Sequence, residues 1–243
     1  MTHKTKGIIL RTVKYGETSL VVTAFTELFG VQTYMVNGVR SSKPATSKAN
    51  YFQPTVILDM VVYHNEHKAM NRIKEFRFAH LYKHISGDVI KNCIALYMVE
   101  LMHKCLKQPE PNPHLFHFCE EALLQLDNAG KMVTANFPLF FALHLTHFFG
   151  FRMNDNFTNT NSFLDLREGN YVDQQPVHPD FIKGEKAAIT SQLLRVMQPP
   201  ELDDLKLNQA TRRALLLHYQ DYYALHIHDF GQMKTLQVLQ EVL

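Results

Sequence analysis

Residues 6–36 read KGIILRTVKYGETSLVVTAFTELFGVQTYMV, and three short runs within them decide the fold. Residues 6–14 are rich in β-branched and aliphatic side chains. Tyr15-Gly16-Glu17 supplies a turn, and residues 19–26 form a second run of the same kind. Phe29-Gly30 breaks that run, and residues 31–36 alternate with period two as a third. Outward from this stretch, Asn37-Gly38 is a strong turn signal. Residues 55–63 (TVILDMVVY) and 69–78 (AMNRIKEFRF) read as a fourth and fifth strand. Five short strands in about eighty residues fit a small closed barrel of the OB type. Residues 40–53 (RSSKPATSKANYFQ) form a long, polar, basic loop, and loops of that length usually carry function or move.

The period changes after residue 80. Residues 88–107 carry a helical apolar stripe, with Ser86 as the expected N-cap and Pro109 and Pro111 as stops. Asn112-Pro113 reads as a cap followed by proline at the first helical position, opening a helix over 114–127. A third helix is expected over 136–149, ending at Gly150. Residues 151–177 have no helical period, and 163–172 read as a hairpin around Glu168-Gly169-Asn170. Helices resume over 179–196, 208–226 and 234–242. The expected class is α+β: an N-terminal OB-type β-barrel over 1–80, then a helical bundle over 81–243 with a small hairpin inserted at about 151–177.

Net charge is only +2, but its distribution is uneven. Residues 1–80 hold eleven Lys/Arg against five Asp/Glu, a net of +6, and the remainder carries fourteen against eighteen, a net of −4. Such asymmetry points to a polyanion partner for the first part. Cys93, Cys105 and Cys119 are too few and too scattered for a disulfide framework. They read as buried free thiols in a reducing, cytoplasmic compartment. The opening MTHKTKGIIL lacks the apolar run of a signal peptide. No membrane span is expected, because Asn136, Pro138, His144 and His147 interrupt the most apolar stretch. Nucleotide-binding glycine motifs, nucleophile elbows and CxxC pairs are missing, so no catalytic residue and no cofactor is expected.

The expected DNA-binding residues are Lys6, Arg11 and Lys14 along the first strand, Arg40, Lys43 and Lys48 in the long loop, and Arg72 and Lys74 on the fifth strand. By strand alternation, Arg72 and Lys74 share one face, and Glu75 and Arg77 the other. Counterion release drives phosphate binding by such long cations without base readout. Tyr34, Tyr51, Phe52 and Tyr63 are interleaved aromatics on which bases could stack. Tyr34 and Tyr63 could equally fill the barrel. Histidine pairs recur one turn apart at His80/His84, His114/His117 and His144/His147. None has the third ligand or the glutamate that a zinc site needs, so no metal is expected. Three function classes remain: a DNA-binding mediator, a nucleic-acid-binding interaction module for RNA or protein, and, least favoured, a histidine-ligated metalloenzyme.

Lys6-Gly-Ile-Ile-Leu-Arg11, Lys14-Tyr-Gly-Glu17, Phe25-Thr-Glu27 and Phe29-Gly30 resemble the opening of RecO DNA-repair proteins, as does Asn37-Gly-Val-Arg40 leading into a basic loop. Tyr97 to Leu101 followed by Pro109-Glu-Pro-Asn-Pro113, His147-Phe-Phe-Gly-Phe151 and the segment after His226 resemble later parts of that family. The resemblance covers essentially the whole chain, and the order of the motifs carries it. It implies an OB-fold and a helical domain that bind single- and double-stranded DNA and anneal complementary strands. It also implies joint action with RecR and the single-strand-binding protein SSB in loading RecA, in the cytoplasm at the nucleoid. The acidic, hydrophobic tail of SSB implies an apolar groove rimmed by cations on the helical domain, and Lys131, Arg152, Arg212 and Arg213 are the candidate rims. Many relatives carry a four-cysteine zinc knob after the third helix. Residues 151–177 contain no cysteine, so that segment must hold its shape by packing, for example of Phe157, Phe163, Leu166 and Tyr171.

Overall fold

The computed structural model describes residues 1–40 and 48–243. Five strands, β1 (Thr2–Tyr15), β2 (Ser19–Thr26), β3 (Gly30–Val36), β4 (Ile57–Tyr63) and β5 (Asn71–Phe78), close into a barrel in the order β1-β2-β3-β5-β4. All pairs are antiparallel except β3 with β5. This is the OB arrangement, in which closure removes free sheet edges. Inward-facing Ile9, Leu20, Val22, Ala24, Tyr34, Val36, Leu58, Met60 and Val62 form the core, with Phe52 from the 3₁₀ turn Ala49–Phe52 plugging it. Tyr51 lies partly buried beside that plug, its ring stacked on Phe78 at 4.1 Å.

Two bulges break strict alternation. In β1 the register with β2 skips Leu10, so Ile8, Ile9 and Leu10 are all buried. In β5 the register with β4 skips Lys74. The extra residue shifts the parity of everything after it. Ile73, Phe76 and Phe78 therefore pack on the core, while Arg72, Glu75 and Arg77 are exposed. The expected split of Arg72 and Lys74 from Glu75 and Arg77 is corrected accordingly.

Packing divides the chain into two compact units. The first is Met1–Lys83 with Met102–Leu124, and the second is His84–Leu101 with Gln125–Leu243. The barrel unit thus reaches beyond residue 80, and Phe25 and Phe116 show why. Phe25 of β2, the register partner of Ile8, is fully buried with its ring 5.5 Å from that of Phe116 in α2 (Pro113–Asn128). Burying one such ring is worth about 2 kcal/mol. Gly30 is required at the same seam. Its φ is +62°, and a Cβ there would lie 2.3 Å from the Glu110 carbonyl oxygen.

The remaining helices are α1 (Val89–Cys105), α3 (Lys131–Leu145), α4 (Glu185–Arg195), α5 (Gln209–His226) and α6 (Lys234–Val242). Asp88, not Ser86, caps α1: its carboxylate accepts from the Ile90 and Lys91 amides at 2.8 and 3.0 Å. Asn112 and Asn208 cap α2 and α5 in the same way. The helix expected from residue 136 begins at Lys131, and Pro138 lies inside it. With the 3₁₀ turn Thr146–Phe149 this segment is long and apolar enough to span a membrane, but Phe137, Leu139, Phe141, Leu143 and Leu145 are buried in the second unit. Asn136 is buried beside them. Its amide donates to the Leu202 and Leu205 carbonyls at 3.1 and 2.7 Å and its carbonyl accepts from Arg212 at 2.9 Å.

The expected hairpin is present as β6 (Phe163–Asp165) and β7 (Asn170–Val172), and β8 (Phe181–Ile182) adds a third strand in the order β7-β6-β8. Residues 179–184 are therefore not helical. Buried Leu166 and Tyr171 anchor the sheet, with the Tyr171 hydroxyl donating to the Ala187 carbonyl at 2.9 Å. Polar latches add to this packing. Asp165 accepts from the Arg167 amide at 2.8 Å and lies 3.2 Å from His178, and Arg167 pairs with Asp180 at 2.7 Å.

Candidate nucleic-acid interface

The barrel register lines up one row of outward residues. Val13 is opposite Val21, Val21 opposite Met35, Met35 opposite Arg72, and Arg72 opposite Tyr63. The next row carries Arg11, Thr23 and Thr33. Direct cross-strand partners point to the same side. Two arginines, a tyrosine and aliphatic side chains therefore share the outer face of β1, β2, β3 and the start of β5. The β4–β5 loop closes one end of it. There the Asn65 amide donates to buried Asn71 at 3.0 Å, and the Asn65 side chain accepts from the His67 amide at 2.9 Å. This turn sets Lys68 beside Met35, Tyr63, Met70 and Arg72 around a groove of about 650 Å³. OB barrels commonly bind oligonucleotides on this strand face and these loops.

Arg11, Lys68 and Arg72 make no ion pair among the described residues. The next side of the barrel differs. Lys6, Asp59 and Arg77 form a row of alternating charge through the register. Arg77 pairs with Asp59 at 3.0 Å and Lys6 with Glu120 of α2 at 2.8 Å. The Glu120 hydrogen bond is the main cause of a raised Lys6 pKa. Lys74, on the bulge, lies 3.4 Å from Glu75.

The nine expected DNA-binding residues therefore scatter. Arg11 and Arg72 meet on the open face. Lys14 precedes the β1–β2 turn, where Arg40 donates to the Gly16 carbonyl at 2.9 Å, and the Lys48 amide ties back to Val39 at 2.8 Å. Lys43 lies outside the described residues. Lys6 and Lys74 are on the paired side. Tyr34 is corrected: it is fully buried in the barrel, and burial pushes its phenol pKa up, so no base can reach it. Of the four aromatics expected to stack on bases, Tyr63, at the outer end of β4, is the one that faces out, 48% exposed. Lys68 was missed because nothing in its local sequence ties it to Tyr63 and Arg72.

In the second unit, Lys131 and Arg212 line one groove of about 1120 Å³ with Ile90, Met132, Ala135 and Leu243. Asp88 and Asp203 lie on the same rim. Burial lowers the Arg212 pKa, and its bond to Asn136 fixes it. Arg152 and Arg213 are not part of this groove. Of the histidine pairs, His144 and His147 have ring centres 5.4 Å apart, and burial first, then His147, holds His144 at about 4. His144 is therefore neutral at pH 7 and half-buried.

The sequence model described as Recombination protein O N terminal matches residues 1–82, and that described as Recombination protein O C terminal matches residues 86–235. The chain belongs to the RecO family. The DNA repair protein RecO of Bacteroides fragilis is 31% identical over 243 residues, covering all of this chain and 99% of the relative. That of Flavobacterium psychrophilum is 33% identical over the same length and coverage. Membership gives the chain a DNA repair and recombination role. The N-terminal family match ends within four residues of the last barrel strand, so the OB barrel is the family's first domain. The cysteine-free segment expected to hold its shape by packing carries β6 and β7 of the β7-β6-β8 sheet, held by Tyr171, Asp165 and the Arg167–Asp180 pair.

Proposed function

We propose that this chain is a recombination mediator without chemistry of its own. It binds single- and double-stranded DNA through the open barrel face, anneals complementary strands and, with RecR, helps load RecA onto SSB-coated DNA in the nucleoid. The observation that carries the reading is the row of Arg72, Met35 and Tyr63 beside Arg11 and Lys68, with no acid paired to any of these cations among the described residues. Lys14, Arg40 and Lys48 extend the cationic surface at the β1–β2 turn and the two ends of the long loop, where they contact phosphates. Binding is mainly electrostatic, with little sequence preference.

The groove around Lys131 and Arg212 supports the SSB part of the reading. Its apolar Ile90, Met132 and Ala135 suit hydrophobic side chains, and Lys131 and Arg212 suit carboxylates. An interaction module that scaffolds RNA or protein is the second reading, and the same groove favours it. Strand annealing with and without SSB decides between them. The mediator anneals SSB-coated strands, and Lys131→Glu with Arg212→Gln removes that activity while leaving naked-strand annealing intact. Failure to anneal naked strands would remove the mediator reading.

A further inference from the structure

We infer that Tyr63 is a base-stacking platform that makes the barrel face prefer single-stranded DNA. The inference rests on the reading that this face binds DNA, and it adds the residue that tells one form of DNA from another.

Tyr63 ends β4 with its side chain outward, in register with Arg72 on one side and Thr2 on the other. Three exposed large apolar side chains, Met1, Tyr63 and Met70, line the groove, and exposed Val13 lies in the same outward row further round the barrel. Exposed apolar groups clustered beside unpaired cations mark a contact surface. The cations Arg72 and Lys68 line the same groove as the Tyr63 ring. Glu66, two residues from Lys68, is the acid of that loop. Burial lowers the His64 pKa, and its ring is stacked on Phe29 at 3.8 Å.

Such a groove offers one flat aromatic surface and two phosphate-binding groups. A single strand presents free base faces beside its phosphates, and stacking on an aromatic side chain is tolerant of sequence. A duplex keeps its bases stacked on each other, and extracting one opposes binding. A duplex therefore meets Arg72 and Lys68 but gains nothing from the ring. Occupancy by single-stranded DNA follows from this pairing of ring and charge.

The test compares the full chain with Tyr63→Ala and Tyr63→Phe on oligo(dT), on duplex of the same length and on oligo(U), at one salt concentration. Tyr63→Ala should weaken oligo(dT) binding by about ten-fold or more, with duplex affinity within about two-fold and an unchanged salt slope. Tyr63→Phe, which keeps the ring, should retain oligo(dT) affinity. A base analogue in the strand should lose its stacking-induced fluorescence change in Tyr63→Ala alone. Equal losses on oligo(dT) and duplex, or no loss on either, overturn the stacking assignment, as does a preference for oligo(U) over oligo(dT). If Arg11→Glu with Arg72→Glu weakens binding while Tyr63→Ala does not, only this inference fails. If neither variant changes binding, the assignment of the face to DNA fails as well.

Discussion

Two sides of the same small barrel carry similar numbers of cations and use them differently. On one side Lys6 and Arg77 are spent on Glu120 and Asp59. On the other, Arg11, Lys68 and Arg72 face outward without an acidic partner among the described residues. Net charge counts both sides alike. A phosphate does not, because a cation already paired must lose its partner before it can release a counterion. The difference teaches that acids elsewhere in the chain decide which cations stay unpaired as much as the positions of the cations do.

The most forceful attempt to break this contrast is charge reversal on the open side. Arg11→Glu with Arg72→Glu should weaken DNA binding by about a hundred-fold, close to 2.7 kcal/mol. It should also reduce the slope of log affinity against log salt by about two, one for each phosphate that is no longer neutralised. Titrations at several salt concentrations measure both.

Lys6→Met tests the paired side. It should leave DNA affinity within about two-fold and cost stability instead. The pair is partly exposed, Lys6 at 40% and Glu120 at 14%, so the cost is at most about 1 kcal/mol. The pH dependence has a definite sign. The folded-state pKa of Lys6 is raised above 10.5, so its contribution is fully present below that pH and is lost as pH rises through the raised value. Denaturant melts should show the parent losing more stability than Lys6→Met above pH 10.5.

The smallest effects sharpen the contrast. Lys74→Ala, on the bulge beside Glu75, should shift stability by less than about 0.5 kcal/mol and DNA affinity by less than about two-fold, since it could neutralise one phosphate at most. Tyr34→Phe should leave DNA affinity unchanged, because its ring is inside the barrel. A marked loss of binding in either variant would mean that the open side has been drawn in the wrong place.

The local sequence was enough for the strands, the turns and one of the two expected caps, Asn112. The second strand is Ser19–Thr26 as its apolar run dictates, and the last helix is Lys234–Val242. Asn112 caps as its side-chain chemistry requires. These features depend on residues within a few positions of each other, and so does each motif whose order along the chain carries the family resemblance. Five strands, an α+β class and a cationic first domain follow from such short-range information.

Only the tertiary structure decided which groups are free to act. The bulge at Lys74 changed which residues of β5 look outward, and a bulge is fixed by pairing with β4, not by the β5 sequence alone. Tyr34 and Tyr63 are both strand tyrosines, yet closure of the barrel buried one and left the other beside Arg72. Lys6 lost its availability to Glu120, 114 residues away, and Lys68 was brought beside Tyr63 and Arg72 by a loop tied down by Asn71. Strand periodicity says which side chains alternate. Which side meets solvent, and which charge meets its opposite, depends on long-range packing that no local window contains.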